Sequence, residues 1–281
     1  MVKYRSLKGK SVDWSFDPTA FKAFLDAVWP TVDPIPGFLS DIEAYFLYES
    51  ARTLTSANRG IDVPPARHVV EIGTYKGRSS VVIGLGLKAN RNEDFRLVCV
   101  DPFLDLARNV EQEKEFRNHI RQGGVEDIVD VMPAFSVDAA AQWPADRGIA
   151  MLWIDGNHEY ENVRDDFLSW SRHLVPGGLV AFHDWYLSGV RETILRHVLP
   201  EDRFQSFCAI DENLIAERRI DAPADGRLKG RKRRFYFTLQ TGRTSLWSAF
   251  AAMLIERLHK PFGNLKGFVE QRPDIQDKHK V

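Results

Sequence analysis

Between residues 67 and 218, short apolar runs alternate with stretches whose apolar residues fall at helical spacing. "HVVEIG" (68–73), "RLVCVD" (96–101), "IVDVM" (128–132), "IAMLWID" (149–155) and "LVAFHD" (179–184) are too short for helices, and they read as buried strands. Between them lie "RSSVVIGLGLKAN", "VEQEKEFRNHIRQ", "VDAAAQW" and "ENVRDDFLSWSRHL". The last of these places Val163, Phe167, Trp170 and Leu174 on one helical stripe, with Asp165 and Asp166 on its solvated face. "PGG" (176–178) turns the chain into the fifth strand. The helix "GVRETILRHVL" and two further strand-like runs, "FQSFCAI" and "NLIAERRI", follow it. Strands alternating with helices predict an α/β fold, a doubly wound parallel sheet covered on both faces. In such sheets ligands bind outside the carboxyl ends of the strands.

The flanks have another texture. Residues 1–66 read as helical with Pro-rich joints, and "SDIEAYFLYESARTL" pairs Ser40 with Glu43 in a capping-box pattern. These helices suit either a lid over an acceptor pocket or packing against the sheet. From 219 onward the alternation stops. "RLKGRKRR" (227–234) is a basic run, read as a solvated loop or as a contact for an anionic group. Residues 247–258 carry an apolar stripe from Trp247 to Leu258, open to three readings: core, the interface of a homo-oligomer, or contact with a membrane surface. The chain thus divides into 1–66, 67–218 and 219–281.

Composition changes this picture little. A hydrophobic share of 44% and a charged share of 27% in 281 residues are those of a globular protein with a proper core. A net charge of −1 gives no general case for a nucleic-acid partner. Cys99 and Cys208 lie in apolar runs and read as core thiols rather than a disulfide. No run reaches the roughly 18 apolar residues of a transmembrane helix. The N-terminus has no apolar stretch of the signal-peptide kind, so the expected setting is the reduced cytoplasm.

The chemistry collects at the strand ends. "EIGTYKGRSS" offers Gly73 and Gly77 for a tight turn and close approach of a ligand, around Thr74 and Tyr75, with a helix starting near Ser79. Its spacing differs from the dinucleotide G-x-G-x-x-G, which disfavours a nicotinamide enzyme. Glu71 ahead of it can order the loop or meet a cationic ligand group. Asp101 ends the second strand, where a carboxylate suits the hydroxyls of a ribose. Asp155 and Asp184 end the fourth and fifth strands. Two carboxylates converging there would repel without a cation or proton between them, and such a ligand set suits magnesium or manganese.

"VVEIGTYKGRSS", "LVCVDPF" and "MLWIDGNHEYENVRDDFLSWSRHLVPGGLVAFHDW" together resemble the motifs of class I S-adenosylmethionine-dependent methyltransferases. The last stretch resembles the metal-dependent subgroup of macrolide-sugar and saccharide O-methyltransferases. The likeness covers 67–218. It implies a Rossmann-like seven-stranded sheet whose last strand is antiparallel. It also implies S-adenosyl-L-methionine held by Glu71, Gly73, Thr74, Tyr75, Gly77, Ser79, Asp101 and Asp155, with Phe135 and Ser136 bordering the adenine.

By the same likeness Mg2+ or Mn2+ belongs with Asp155 and Asp184, and the position of His183 belongs to an acid. Histidine there is a departure; it either ligates the ion, bonds a ligand, or stands back from both. His158 is the expected general base, taking the proton of an acceptor hydroxyl, against the alternative of a loop histidine that caps the next helix. The implied activity is methyl transfer to a hydroxyl of a small-molecule or saccharide acceptor. A metal-independent methyltransferase and a non-catalytic binding protein of this fold are the rival readings.

Overall fold

The computed structural model describes residues 4–6, 17–55, 67–90, 95–104, 112–201, 203–210 and 213–218. Its strands are β1 (Tyr4–Ser6), β2 (His68–Ile72), β3 (Arg96–Val100), β4 (Val129–Met132), β5 (Ile149–Ile154), β6 (Leu174–Phe182), β7 (Phe204–Ile210) and β8 (Asn213–Arg218). Its helices are α1 (Pro18–Ala27), α2 (Trp29–Val32), α3 (Asp41–Arg52), α4 (Arg78–Ala89), α5 (Gln112–Gln122), α6 (Ser136–Ala141), α7 (Tyr160–Ser171) and α8 (Ser188–Thr193). All the described residues lie in one compact unit, Met1–Lys229. The basic run 227–234, the apolar stripe 247–258 and the side chain of Cys208 fall outside what is described. No described helix is long and apolar enough to cross a membrane.

The strands form one sheet in the order β1-β7-β8-β6-β5-β2-β3-β4. Neighbours within β6-β5-β2-β3-β4 are parallel, the α/β core that the alternation predicts. Beyond β6 the pairing is antiparallel, β8 with both β6 and β7, and β7 with β1. Eight described strands replace the expected seven, and the short β1 had no signal in its surroundings.

Burial explains the central strands. Every residue of β5 is buried, and Trp153 is among the largest fully covered side chains. A strand flanked by partners and covered by helices on both faces reads as a continuous apolar run. On α7, Val163, Phe167 and Trp170 are buried as their spacing predicts, but the helix ends at Ser171. Leu174 belongs to β6. The "PGG" is likewise no simple turn into the strand but an irregularity within it. The register runs Ile149↔Leu174 and then Met151↔Leu179, so the extra residues bulge out around Gly177, whose φ is +80°.

The N-terminal helices pack rather than hang free. The capping box holds α3, with the Ser40 amide donating to Glu43 Oε2 at 3.0 Å and the Glu43 amide to Ser40 Oγ at 3.4 Å. Ile42, Ala44, Tyr45, Phe46, Leu47 and Ala51 are buried. α3 lies so close to α4 that a Cβ on Gly86 would stand 2.5 Å from the carbonyl oxygen of Tyr48.

Candidate active site

The parallel register sets Gly73, Asp101, Asp155 and His183 one step past the ends of four neighbouring strands, since Ile72 pairs with Val100 and Ile154, and Ile154 with Phe182. The glycine loop is built around that row. Gly73 has φ +80°, its N–H donates to the Val100 carbonyl at 2.9 Å, and a Cβ there would meet the Asp155 carbonyl oxygen at 2.2 Å. Gly77, at φ +90°, caps α4 against the ring of Phe116.

Asp101 stitches this loop shut. Its Oδ2 accepts the Thr74 and Tyr75 amides at 2.8 and 3.0 Å, and its Oδ1 accepts the Phe103 amide at 2.7 Å. The carboxylate expected to face a ribose is here 8% exposed and bonded to the loop itself. Thr74 is buried, whereas Tyr75, at φ +46°, leaves its ring half exposed at the rim.

Glu71 is turned into the base of the loop. It is 0% exposed, and its oxygens accept the hydroxyls of Ser79 and, at 2.5 Å, Ser80. Ser79 is thereby turned into the core as well. The Cys99 thiol, buried as its run predicts, adds a contact at 3.4 Å. Burial pushes the Glu71 carboxyl from 4.5 up to about 7, against the pull of the two hydroxyls and the thiol. The folded chain therefore keeps this proton longer than the unfolded chain does. Its stabilising share is full below about pH 4.5 and is lost as pH rises through about 7. Glu71→Gln should remove that slope: from pH 5 to 8 the wild type should lose on the order of 2–3 kcal/mol more than the variant in urea unfolding. Parallel pH curves for the two proteins would refute the assignment.

The two histidines take different places. His158 Nε2 lies 3.1 Å from Asp184 Oδ2 and 3.9 Å from Asp155 Oδ1, with the ring partly open to solvent. His183 is buried behind the pair. Its Nδ1 stands 3.1 Å from Asp155 Oδ1 and 3.4 Å from Asp184 Oδ2, and its Nε2 stands 3.6 Å from Glu43 Oε2 of α3. Burial disfavours an imidazolium there, yet Asp155, Asp184 and Glu43 together drive His183 well above the ordinary imidazole value. Burial also raises the Asp155 carboxyl, opposed by the charge of His183.

Each of Asp155, His158 and Asp184 offers a ligand atom, all within 4.8 Å of one another. Two carboxylates and one imidazole on the open side of the cluster fit a divalent cation that prefers oxygen and keeps water or substrate in its remaining positions. Further, His158 Nε2 is buried among these groups, 3.1 Å from Asp184 Oδ2. His183, facing both aspartates from the buried side, is placed to hold them rather than to join that open set.

Backbone geometry fixes these groups. Asp184 occupies the left-handed region at φ +51°, a conformation that Asp tolerates better than most residues, and turns the chain out of β6. His158 precedes Glu159, the cap residue of α7, so it does not cap the helix itself. Gly189 of α8 packs against it, where a Cβ would stand 2.1 Å from the His158 carbonyl oxygen.

At the end of β4, Phe135 is 58% exposed. Ser136 beside it is engaged from below: its hydroxyl accepts the Trp170 indole N–H at 2.9 Å. Asp166 is 6% exposed, which corrects the reading of a solvated side chain. Only Asp165 is on the open face, where it pairs with Arg164. The signal was in the spacing, since 163, 166, 167 and 170 form one i, i+3, i+4, i+7 stripe. Glu43 was the other omission. Its capping-box role was legible, and its reach to His183 was not.

Residues 70–185 match a protein-family model described as a methyltransferase domain. A curated protein of Acanthamoeba polyphaga mimivirus, uncharacterized protein R132, is 31% identical over 119 residues. That match takes in 41% of this chain and 50% of the viral one, so the chain spans about half the length of this relative. Among solved structures, the O-methyltransferase NovP is similar at a TM-score of 0.51 and 18% identity, over 65% of this chain and 83% of its own. An O-methyltransferase from Bacillus cereus in complex with SAH is similar at 0.49 and 16%, over 74% and 94%.

Proposed function

We propose that this chain, which matches a methyltransferase-domain model over residues 70–185, is an S-adenosylmethionine-dependent and divalent-metal-dependent O-methyltransferase acting on a hydroxyl of a saccharide or glycosylated natural product. The observation that carries this reading is the convergence of Asp155, His158 and Asp184 at adjacent strand ends, beside a glycine loop closed by Asp101. The family match supports methyl transfer. The resemblance of residues 151–185 to saccharide O-methyltransferases supports the acceptor class.

When bound, S-adenosylmethionine supplies an electrophilic methyl group, and magnesium or manganese lowers the pKa of the acceptor hydroxyl. The protein's part is placement and proton management. The Gly73–Gly77 loop and Asp101 shape the cofactor's seat. Asp155 and Asp184 would hold the cation, backed by His183. His158, with its ring partly open to solvent beside Asp184, takes the proton from the acceptor oxygen. Holding acceptor and methyl donor in line is the larger part of such catalysis.

Calorimetry with Mn2+ and with S-adenosylhomocysteine tests this. One ion and one nucleoside per chain, with ion binding lost in Asp184→Asn and nucleoside binding kept, are expected. Methyl transfer that survives exhaustive chelation would leave the metal-independent enzyme as the better reading. The close grouping of all three ligand atoms also favours a second role for His158, as a third ligand to the ion. Mn2+ affinity separates the two. It stays within a few-fold in His158→Ala if the ring is a base, and drops steeply if the ring is a ligand.

A further inference from the structure

Tyr160 and His197 form a side-chain pair that the proposed chemistry does not use. The Tyr160 hydroxyl and His197 Nε2 share a hydrogen bond of 2.9 Å, and the two rings stack with centroids 6.0 Å and planes 28° apart. The guanidiniums of Arg164 and Arg196 each lie 5.5 Å from the centre of the Tyr160 ring. Both are tied down in turn, Arg164 to Asp165 and Arg196 to Glu192. Burial and these two cations hold the His197 imidazole below its ordinary pKa, with Glu201 opposing. The ring is therefore neutral under physiological conditions and able to accept the phenol proton at Nε2.

The pair ends a row of contacts that leads to the site. Tyr160 opens α7 and stands two residues after His158. Gly189, Thr193 and His197, four residues apart along one helical segment, all meet this stretch. Gly189 lies so close that a Cβ would stand 2.1 Å from the His158 carbonyl oxygen and 2.6 Å from the Tyr160 nitrogen. The Thr193 hydroxyl donates to the Tyr160 carbonyl at 3.5 Å, and His197 takes the Tyr160 hydroxyl. A regular α-helix would rotate such a row by roughly 40° every four residues. Here α8 runs into a π turn, Ile194–Val198, with the Leu199 amide on the Ile194 carbonyl at 2.9 Å. The wider turn offsets that rotation and keeps His197 in line with Gly189 and Thr193. The loop's own bond, from the Glu159 amide to Asn157 Oδ1 at 2.7 Å, is local and exposed. The row from α8 is what ties the stretch to the body of the fold.

We propose that His197 is a positioning residue for His158, holding the 158–160 stretch through Tyr160 so that the His158 ring faces Asp155 and Asp184. This rests on the reading of His158 as the general base. His197 needs no contact with cofactor, ion or acceptor. One hydroxyl and two peptide units carry its effect to the base.

Proton–carbon spectra of the full chain, labelled at histidine Cε1 and with each ring assigned by single substitution, test this. Tyr160→Phe and His197→Ala should each move the His158 peak by more than its linewidth. His68, at the far end of β2, should stay in place and serves as the control for folding. Tyr160→Phe keeps the ring, so it separates the hydrogen bond from the stacking. Adding Tyr160→Phe to His197→Ala should move the His158 peak no further, because both remove the same bond. His197→Gln, whose amide can reach the place of Nε2 and bond the hydroxyl, should return the peak to its wild-type position. Calorimetry should give all these variants wild-type affinity for S-adenosylhomocysteine. An unmoved His158 peak in Tyr160→Phe would overturn the proposal, and so would a His197→Gln spectrum like that of His197→Ala. If the His68 peak shows that His197→Ala does not fold, Tyr160→Phe decides. Wild-type protein that binds no S-adenosylhomocysteine would sink the methyltransferase reading and the base with it. Intact wild-type binding with an unmoved His158 peak would sink only the positioning role.

Discussion

His158→Ala is expected to slow methyl transfer by roughly 10² or more while the affinity for S-adenosylhomocysteine stays unchanged. The ring stands 3.1 Å from Asp184 and 3.9 Å from Asp155, and it is the more solvent-open of the two histidines in the cluster. An acceptor hydroxyl entering from solvent meets this imidazole before it meets His183. Removing the imidazole takes away the proton acceptor but leaves the Gly73–Gly77 loop and Asp101 as they are. The loss should therefore appear in kcat under saturating cofactor, and raising the pH should restore part of it as hydroxide replaces the base. Single-turnover rates for wild type and variant over pH 6 to 9 provide the check. Equal rates across that range would remove His158 from the mechanism.

Gly73→Ala should be a severely damaging small substitution, costing about 3–5 kcal/mol of stability. The added methyl would lie 2.2 Å from the Asp155 carbonyl oxygen and 2.5 Å from the Gly156 Cα. Both obstacles are backbone of the adjacent strand end, held in register by Ile72 and Ile154, so no side chain can swing away. The φ of +80° adds a conformational cost of its own. Gly124 is the control: it shares a positive φ of +68°, but nothing lies within 4 Å of a Cβ there. Gly124→Ala should cost only about 1–2 kcal/mol. Urea unfolding of the two variants side by side would decide, and equal losses would show that conformation and not contact dominates at Gly73.

The parallel core was legible because its strands carry their burial on both faces, as the six buried residues of β5 do. The site was legible as a row of strand ends, because the alternation fixes which residues come last in each strand. What lay beyond reach was direction and partner. Glu71 was visible as an acid beside a glycine loop, but only the fold brings Ser79 and Ser80 back onto its two oxygens. Asp101 was read toward a ligand, whereas the loop amides claim it first. β1 was missed because three residues at the end of a sheet carry too little pattern to distinguish from loop. Asp166 was misplaced for the opposite reason: charge was allowed to outweigh a helical spacing that already put it inside.

The buried contact between His183 and Glu43 bears on how this protein can be cut and recombined. The stretch that matches the methyltransferase-domain model begins at residue 70, yet the acid that faces the buried imidazole stands on α3, well before that point. A chimera that grafts residues 70–185 onto a foreign N-terminal segment would inherit both aspartates and both histidines but lose the third carboxylate around His183. The exchangeable cassette is therefore longer than its recognisable motifs. A workable crossover point lies ahead of Ser40, so that the helix bearing Glu43 travels with the strand ends it serves.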